Sequence, residues 1–161
     1  AFAQPVRVTP EVLHQLEAHV ELAKRHHRPL SVILVDLDRF KHVNDTRGHH
    51  GGDRALERVG SLLLHRLRGS DSLGRLGGDE FLVVLPETSA ALATTAAEDI
   101  RRCLVEKRLD LGDGLPIQLT CSLGVAELKP GDTDGGALLA RADAALYGAK
   151  AGGRNRVVSV P

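Results

Sequence analysis

The sequence predicts an α/β sandwich in which a mainly antiparallel central sheet is flanked by helices. Three observations carry this. The run Ser31-Val32-Ile33-Leu34-Val35 is continuously β-branched and aliphatic, as in a strand buried on both faces. Gly77 and Gly78 separate a short strand-like run, 71–76, from the β-rich stretch Phe81 to Leu85, the pattern of a tight hairpin whose turn needs positive φ. Around these lie stretches with apolar residues at helical spacing, so the order is helix, strand, helix, hairpin, helix, strand, helix, strand.

Each element has a local reason. Thr9 or Pro10 opens the first helix, with Glu11 favouring its N-terminus and Val12, Leu13, Leu16, Val20, Leu22 and Ala23 forming its apolar stripe. The basic run 24–28 complements the helix C-terminus and Pro29 stops it; this is preferred over a binding patch. The first strand then delivers Asp36 to its C-terminal end. Asp36 and Asp38 are two apart and share a face of an extended chain, as paired metal-binding carboxylates need, although either could merely cap the following turn; Asp38 is read as structural.

A short helix over 40–44 is expected to lead into a polar, glycine-rich loop over 45–53, whose length argues for a purpose. Ala55, Leu56, Val59, Leu62, Leu63 and Leu67 mark an amphipathic helix that ends before Arg68-Gly69-Ser70-Asp71. After the hairpin, Pro86 closes the strand, and Ser89 caps a helix running to Leu104. A strand over 117–126, a Pro/Gly/Asp loop over 129–136, a helix over 138–149 and a short strand over 157–160 complete the chain.

The chain has 161 residues, the size of one domain with one core, so 1–161 is read as a single domain. Lys plus Arg equals Asp plus Glu at 21 each, so no net field points to nucleic acid or to a membrane surface, and any phosphate recognition must be local. No apolar run approaches the ~20 residues of a spanning helix and no signal-peptide pattern opens the chain, so a cytoplasmic location is expected. Cys103 and Cys121 are isolated in apolar surroundings and read as buried free thiols. The absence of any methionine suggests a domain excised from a longer protein.

The chemistry concentrates at the hairpin. Asp79 and Glu80 follow the Gly-Gly turn, where a ribose hydroxyl, a phosphate or a metal ion could reach them, although glycines followed by acids also make ordinary solvated turns. What separates the two readings is company. Gly77-Gly78-Asp79-Glu80-Phe81 is accompanied by Asp36-Leu37-Asp38-Arg39-Phe40-Lys41, Asn44-Asp45, Gly48-His49, Gly52-Asp53 and Ala142-Asp143-Ala144-Ala145-Leu146-Tyr147. With these the chain resembles the GGDEF family of diguanylate cyclase catalytic domains from about Pro29 to Val157. The segment 1–8 departs from the family's usual lead-in to the first helix.

The resemblance implies a palm-like nucleotide cyclase fold and a reaction in which two GTP condense to cyclic di-GMP with release of pyrophosphate. It makes Asp36, the Leu37 carbonyl, Asp79 and Glu80 ligands of Mg²⁺ (or Mn²⁺). The division of labour between Asp79 and Glu80 stays open, because neighbours on a regular strand point to opposite faces and can share one site only if the turn distorts it. It puts Lys41 near the triphosphate, counts Phe40 and His49 among the substrate-binding positions, and makes Asn44 and Asp53 the pair that reads guanine. An amide can meet O6 or N3 while a carboxylate accepts from the N1 and N2 hydrogens, which disfavours adenine. His49 and His50 are read as structuring the loop rather than binding metal.

Lys150 and Arg154 become phosphate-binding groups, where local reasoning sees only charge complementing a helix end. Arg68 and Asp71, by themselves an ordinary ion pair at a corner, match the family's inhibitory site for c-di-GMP, with Arg75 as a helper; a guanidinium fork suits phosphate or guanine O6/N7. Since each domain holds one GTP and the product needs two, a homodimer is implied, paired by an upstream sensory or dimerisation module. The competing readings are a non-catalytic GTP or c-di-GMP receptor, another palm-type enzyme acting on ATP or nucleic acid, and a structural module with an incidental acidic turn. Intact motif positions weigh against the first and third, and Asn44, Asp53 and the neutral charge against the second.

Overall fold

The computed structural model describes residues 11–161; the expected helix start at Thr9 or Pro10 lies outside them. The elements are α1 (Glu11–His26), β1 (Leu30–Leu37), α2 (Phe40–His65), β2 (Ser72–Arg75), β3 (Glu80–Pro86), α3 (Ala90–Glu106), β4 (Cys121–Glu127), α4 (Gly135–Ala151) and β5 (Val157–Ser159). The five strands form one sheet in the order β2-β3-β1-β4-β5. All neighbours are antiparallel except β4 and β5, which run parallel. The expected sandwich with a mainly antiparallel sheet is the observed one.

β1 is buried along its whole length because it is the middle strand with helices on both sides. Its alternation sorts the core. Ile33, Val35 and Leu37 join Phe81, Val83, Leu123 and Val125 under α2 and α3, while Val32 and Leu34 join Leu82, Val84 and Ala126 under α1 and α4. The same parity puts Asp36 and Glu80 on the α4 side, one step beyond that second cluster. Gly124 lets α4 approach closely: a Cβ there would stand 2.2 Å from the Ala142 carbonyl oxygen and 2.4 Å from the Leu146 nitrogen. That contact fixes the end of α4 near the end of β1.

Several local expectations are corrected. Segment 45–53 is not a loop: α2 runs through it, with one non-helical residue, Gly48 (φ 72°, ψ 176°), at a kink. Glycine content read as a loop is here what permits a break and a tight packing within a helix. Neither Gly77 nor Gly78 is among the positive-φ glycines of the described residues. The hairpin closes instead with Leu76 N–H donating to Glu80 O at 2.8 Å around a three-residue turn in which no residue is left-handed. Leu13 and Leu22 are exposed at the rim of the α1 stripe. β4 begins only at Cys121, Ile117 pairing with Leu109 in an isolated bridge. α4 begins three residues early because Asp134 caps it, accepting from Ala137 N–H at 3.0 Å. Both cysteines are free and buried, and burial pushes the Cys121 thiol far up, leaving it unreactive.

The turn from β1 to α2 is only Asp38 and Arg39, and Arg39 adopts a left-handed conformation (φ 56°). Asp38 holds it. Its buried carboxylate accepts from Thr120 Oγ1 (2.6 Å), Ser122 Oγ (2.7 Å) and the Asn155 backbone N–H (3.0 Å). Asp38 thus ties β1 to β4 and to the loop after α4, which is the structural role expected of it. Replacing Asp38 by Ala leaves three donors unpaired, and the expected loss is about 2–3 kcal/mol in urea unfolding; a loss under about 0.5 kcal/mol contradicts this role.

Candidate active site

Two adjoining features meet at the hairpin turn. The first is an acidic end. Asp36 and Glu80 are directly opposed in the β1/β3 ladder, and Leu37 N–H donates to Asp79 O at 3.1 Å, drawing the turn over the end of β1. Asp79 lies in the turn, outside the ladder, so strand alternation does not apply to it. Its charge acts on both Asp36 and Glu80. Both acids of the motif thus interact electrostatically with Asp36, Glu80 from the ladder and Asp79 from the turn, where strand alternation does not separate them.

Electrostatics record the crowding. Burial pushes the Glu80 carboxyl above its ordinary range, and Asp36, Asp143 and Asp79 push it further against the pull of Lys150. Asp36 is raised too, chiefly by burial and then by Asp79, outweighing the Lys150 ammonium that forms an ion pair with its Oδ2. Asp36 Oδ1 is buried with no hydrogen-bond partner.

The donor set suits a hard divalent cation: carboxylates on three neighbouring residues, with one buried oxygen unpartnered. Among the described residues no three acidic, histidine or cysteine side chains already form a metal cage. Asp36, Asp79 and Glu80 would hold such an ion, with the Leu37 carbonyl adjacent in the chain.

The second feature is a cavity of about 330 Å³ on the α2 side of the turn. Phe40, Lys41, Asn44, His49, Asp53, Leu56, Arg75, Gly78 and Asp79 line it. The kink at Gly48 brings both halves of α2 onto this one cavity. Gly52 makes the fit: a Cβ there would lie 1.9 Å from Asn44 Oδ1 and 3.3 Å from Phe40 Cζ. Gly77 and Gly78 have open space where a Cβ would be, so neither φ nor packing within the chain requires glycine there; close approach of a ligand is what a missing Cβ serves.

Arg75 is not with Arg68 and Asp71. It lies at the far end of β2, its Nε donating to Gly77 O at 3.0 Å, in the cavity with Asp79. The resemblance made Arg75 a helper of the Arg68/Asp71 site, but a four-residue strand separates the two places. Arg68 bridges Asp71 Oδ1 (3.1 Å), Pro86 O (3.1 Å) and Thr88 Oγ1 (2.9 Å) at the opposite end of β3. Six strand steps put it about 20 Å from Glu80. Lys150 turns to Asp36, and Arg154 is exposed in a left-handed turn (φ 65°) after α4. Leu56, read only as core, also lines the cavity, and Gly52 stood in the motif with no role assigned. A more apolar cavity of about 360 Å³, lined by His19, Leu22, Leu30 and Pro86, lies at the other end of the strands and contains no carboxylate pair.

The chain belongs to the family described as diguanylate cyclase, GGDEF domain, whose model matches residues 11–156. It is 42% identical over 128 residues to diguanylate cyclase A of Treponema denticola, covering 80% of this chain and 34% of that protein. To diguanylate cyclase DosC of Escherichia coli K12 it is 41% identical over 151 residues, covering 94% and 32%. The chain thus spans about a third of the length of these curated relatives. Among solved structures it is similar to the GGDEF domain of DgcB from Caulobacter crescentus in complex with c-di-GMP (32% identity, TM-score 0.88, 95% and 90% covered). It is also similar to the active GGEEF domain of a diguanylate cyclase from Vibrio cholerae (33%, 0.90, 97% and 98%).

Glu80 has its pKa raised by folding, so its charge costs stability at neutral pH, and that cost disappears as pH falls through the ordinary carboxylate range. Glu80→Gln should raise the melting midpoint by about 1–3 °C at pH 7, the gap closing toward pH 4; a lowered midpoint at pH 7 contradicts the crowding. Gly52→Ala should leave the melting midpoint nearly unchanged, helix propensity offsetting a local clash. By displacing Asn44, whose Oδ1 a Cβ at residue 52 would overlap, it should shift the Asn44 side-chain amide resonances in a 1H–15N spectrum; unchanged resonances contradict the packing of Asn44 against Gly52.

Proposed function

We propose that the chain is a diguanylate cyclase domain that condenses two GTP into c-di-GMP and pyrophosphate, each domain of a homodimer presenting one GTP. The observation that carries this reading is the meeting, at one turn, of the Asn44/Asp53 cavity with the Asp36/Glu80 acidic end, Asp79 belonging to both.

In this mechanism guanine enters the α2-side cavity. Asp53 accepts from its N1 and N2 hydrogens, Asn44 meets an acceptor on its edge, and the apolar wall is Phe40 and Leu56. The open faces of Gly77 and Gly78 admit the ribose and phosphates. Lys41 on the cavity rim and Lys150 and Arg154 from the end of α4 supply positive charge to the triphosphate. Mg²⁺ or Mn²⁺, held by Asp36, Asp79 and Glu80, would supply charge neutralisation and a lowered hydroxyl pKa. The 3′-hydroxyl oxygen of one GTP bonds to the α-phosphorus of the other, the bond to the pyrophosphate oxygen breaks, and a carboxylate of the Asp79/Glu80 pair takes the proton. The reciprocal step closes the ring. Positioning and charge do the work without a protein nucleophile.

The second copy needed for product is assigned to a homodimer, with pairing assisted by a module in the part of the relatives this chain does not span. Arg68 and Asp71 form the inhibitory c-di-GMP site, remote from the acidic end, so product there can act only by restraining how two domains meet.

Two results test the reading. Nucleotide-stripped protein at high concentration with GTP and Mg²⁺ should yield c-di-GMP by chromatography, and Glu80→Gln should yield at least about 10³-fold less. GTP binding without product in the parent contradicts catalysis and favours a receptor. Arg68→Ala should leave the initial rate within about twofold and remove the slowing as c-di-GMP accumulates; slowing that persists in Arg68→Ala contradicts the inhibitory site.

A further inference from the structure

We propose that Lys150 is a built-in counter-ion that keeps the acidic end closed to free divalent cations until a nucleotide triphosphate draws it away. The inference rests on the functional reading above and assigns Lys150 a second role, in the nucleotide-free state, beyond contact with phosphate.

Three observations carry it. The Lys150 ammonium forms an ion pair with Asp36 Oδ2, while Glu80 and Asp79 add their attraction from the turn. The ammonium thus stands among the carboxylates that a divalent cation would use. Second, Asp36 Oδ1 is buried without a hydrogen-bond partner, so the Lys150 ammonium answers only one of the two carboxylate oxygens. A buried acceptor in that state favours a ligand that can take both oxygens or a second donor.

The third observation is mechanical. α4 packs backbone to backbone on β4 at Gly124, with Ala142 and Leu146 buried there, so moving its backbone off the site would open that contact. The Lys150 side chain is the movable part: it is the penultimate residue of α4 and is 38% exposed, on a flexible four-carbon stem carrying a compact, readily hydrated charge. Exchange therefore needs only a side-chain rotation toward an anion outside. A free metal ion offers Lys150 no new partner and must displace it at the cost of the pair. A metal ion arriving with a triphosphate brings the ammonium an alternative partner. Metal and nucleotide binding become positively coupled, each favouring the other by the same factor.

The test is Mn²⁺ binding to nucleotide-free protein, read as the loss of free Mn²⁺ signal in electron paramagnetic resonance. Lys150→Met should bind Mn²⁺ about five- to tenfold more tightly than the parent. Lys41→Met, which removes an equal charge from the neighbouring cavity, should change the affinity less than twofold. Equal affinity in parent and Lys150→Met, or an equal gain in Lys41→Met, overturns the counter-ion role. Asp36→Asn in the Lys150→Met background separates this from the underlying reading. Loss of the bound Mn²⁺ places the ion at Asp36; Mn²⁺ bound as before means that it never occupied the acidic end, and the metal assignment falls together with the proposal.

Discussion

Asp36 and Glu80 face each other across an antiparallel pair of strands, and most of what distinguishes this molecule as a chemical device depends on that opposition. Directly opposed like charges weaken a ladder, and both carboxyls are further penalised by burial. The sheet tolerates them because the rest of β1 and β3 is fully committed: from Leu30 to Val35 and from Phe81 to Leu85 every residue is buried. Register cannot slip by one residue without turning both core faces inside out. The apolar ladder therefore forces two acids together at its end, and Lys150, delivered by an α4 packed against Gly124, is the local relief.

The same ladder explains why the α2-side cavity and the acidic end adjoin. Strand alternation sends Asp36 and Glu80 to the α4 face, while the cavity with Asn44 and Asp53 lies on the α2 face. A turn at the sheet's end belongs to neither face, and Asp79 sits in it. The turn is pinned by Leu76 to Glu80, by Leu37 to Asp79 and by Arg75 to Gly77 rather than by any left-handed glycine. Its two glycines thus leave open space at the junction, where a nucleotide can lie with its base on one side and its phosphates on the other.

Much of this was legible in the sequence, for physical reasons that differ by element. β1 was legible because a central strand between two helical layers must be apolar at every position. The hairpin was legible because two adjacent glycines interrupt a β-rich run. Segment 45–53 misled because glycine, histidine and aspartate usually signal a loop; here Gly48 makes a kink and Gly52 makes room for Asn44, both inside α2. Arg75 misled because it lies only seven positions after Arg68, while the extended strand between carries it to the opposite end of the sheet. The attachment of Lys150 to Asp36 joins residues more than a hundred positions apart, and no periodicity encodes it.

The proposed function requires one turn to join a guanine cavity to a metal-binding acidic end. Anomalous diffraction from crystals grown with Mn²⁺ and a non-hydrolysable GTP analogue tests it most directly. The expected result is a manganese peak bounded by Asp36 and the Asp79/Glu80 pair, guanine against Asn44 and Asp53, and the Lys150 ammonium moved from Asp36 to phosphate. A manganese peak away from Asp36, or a guanine outside the α2-side cavity, would contradict it.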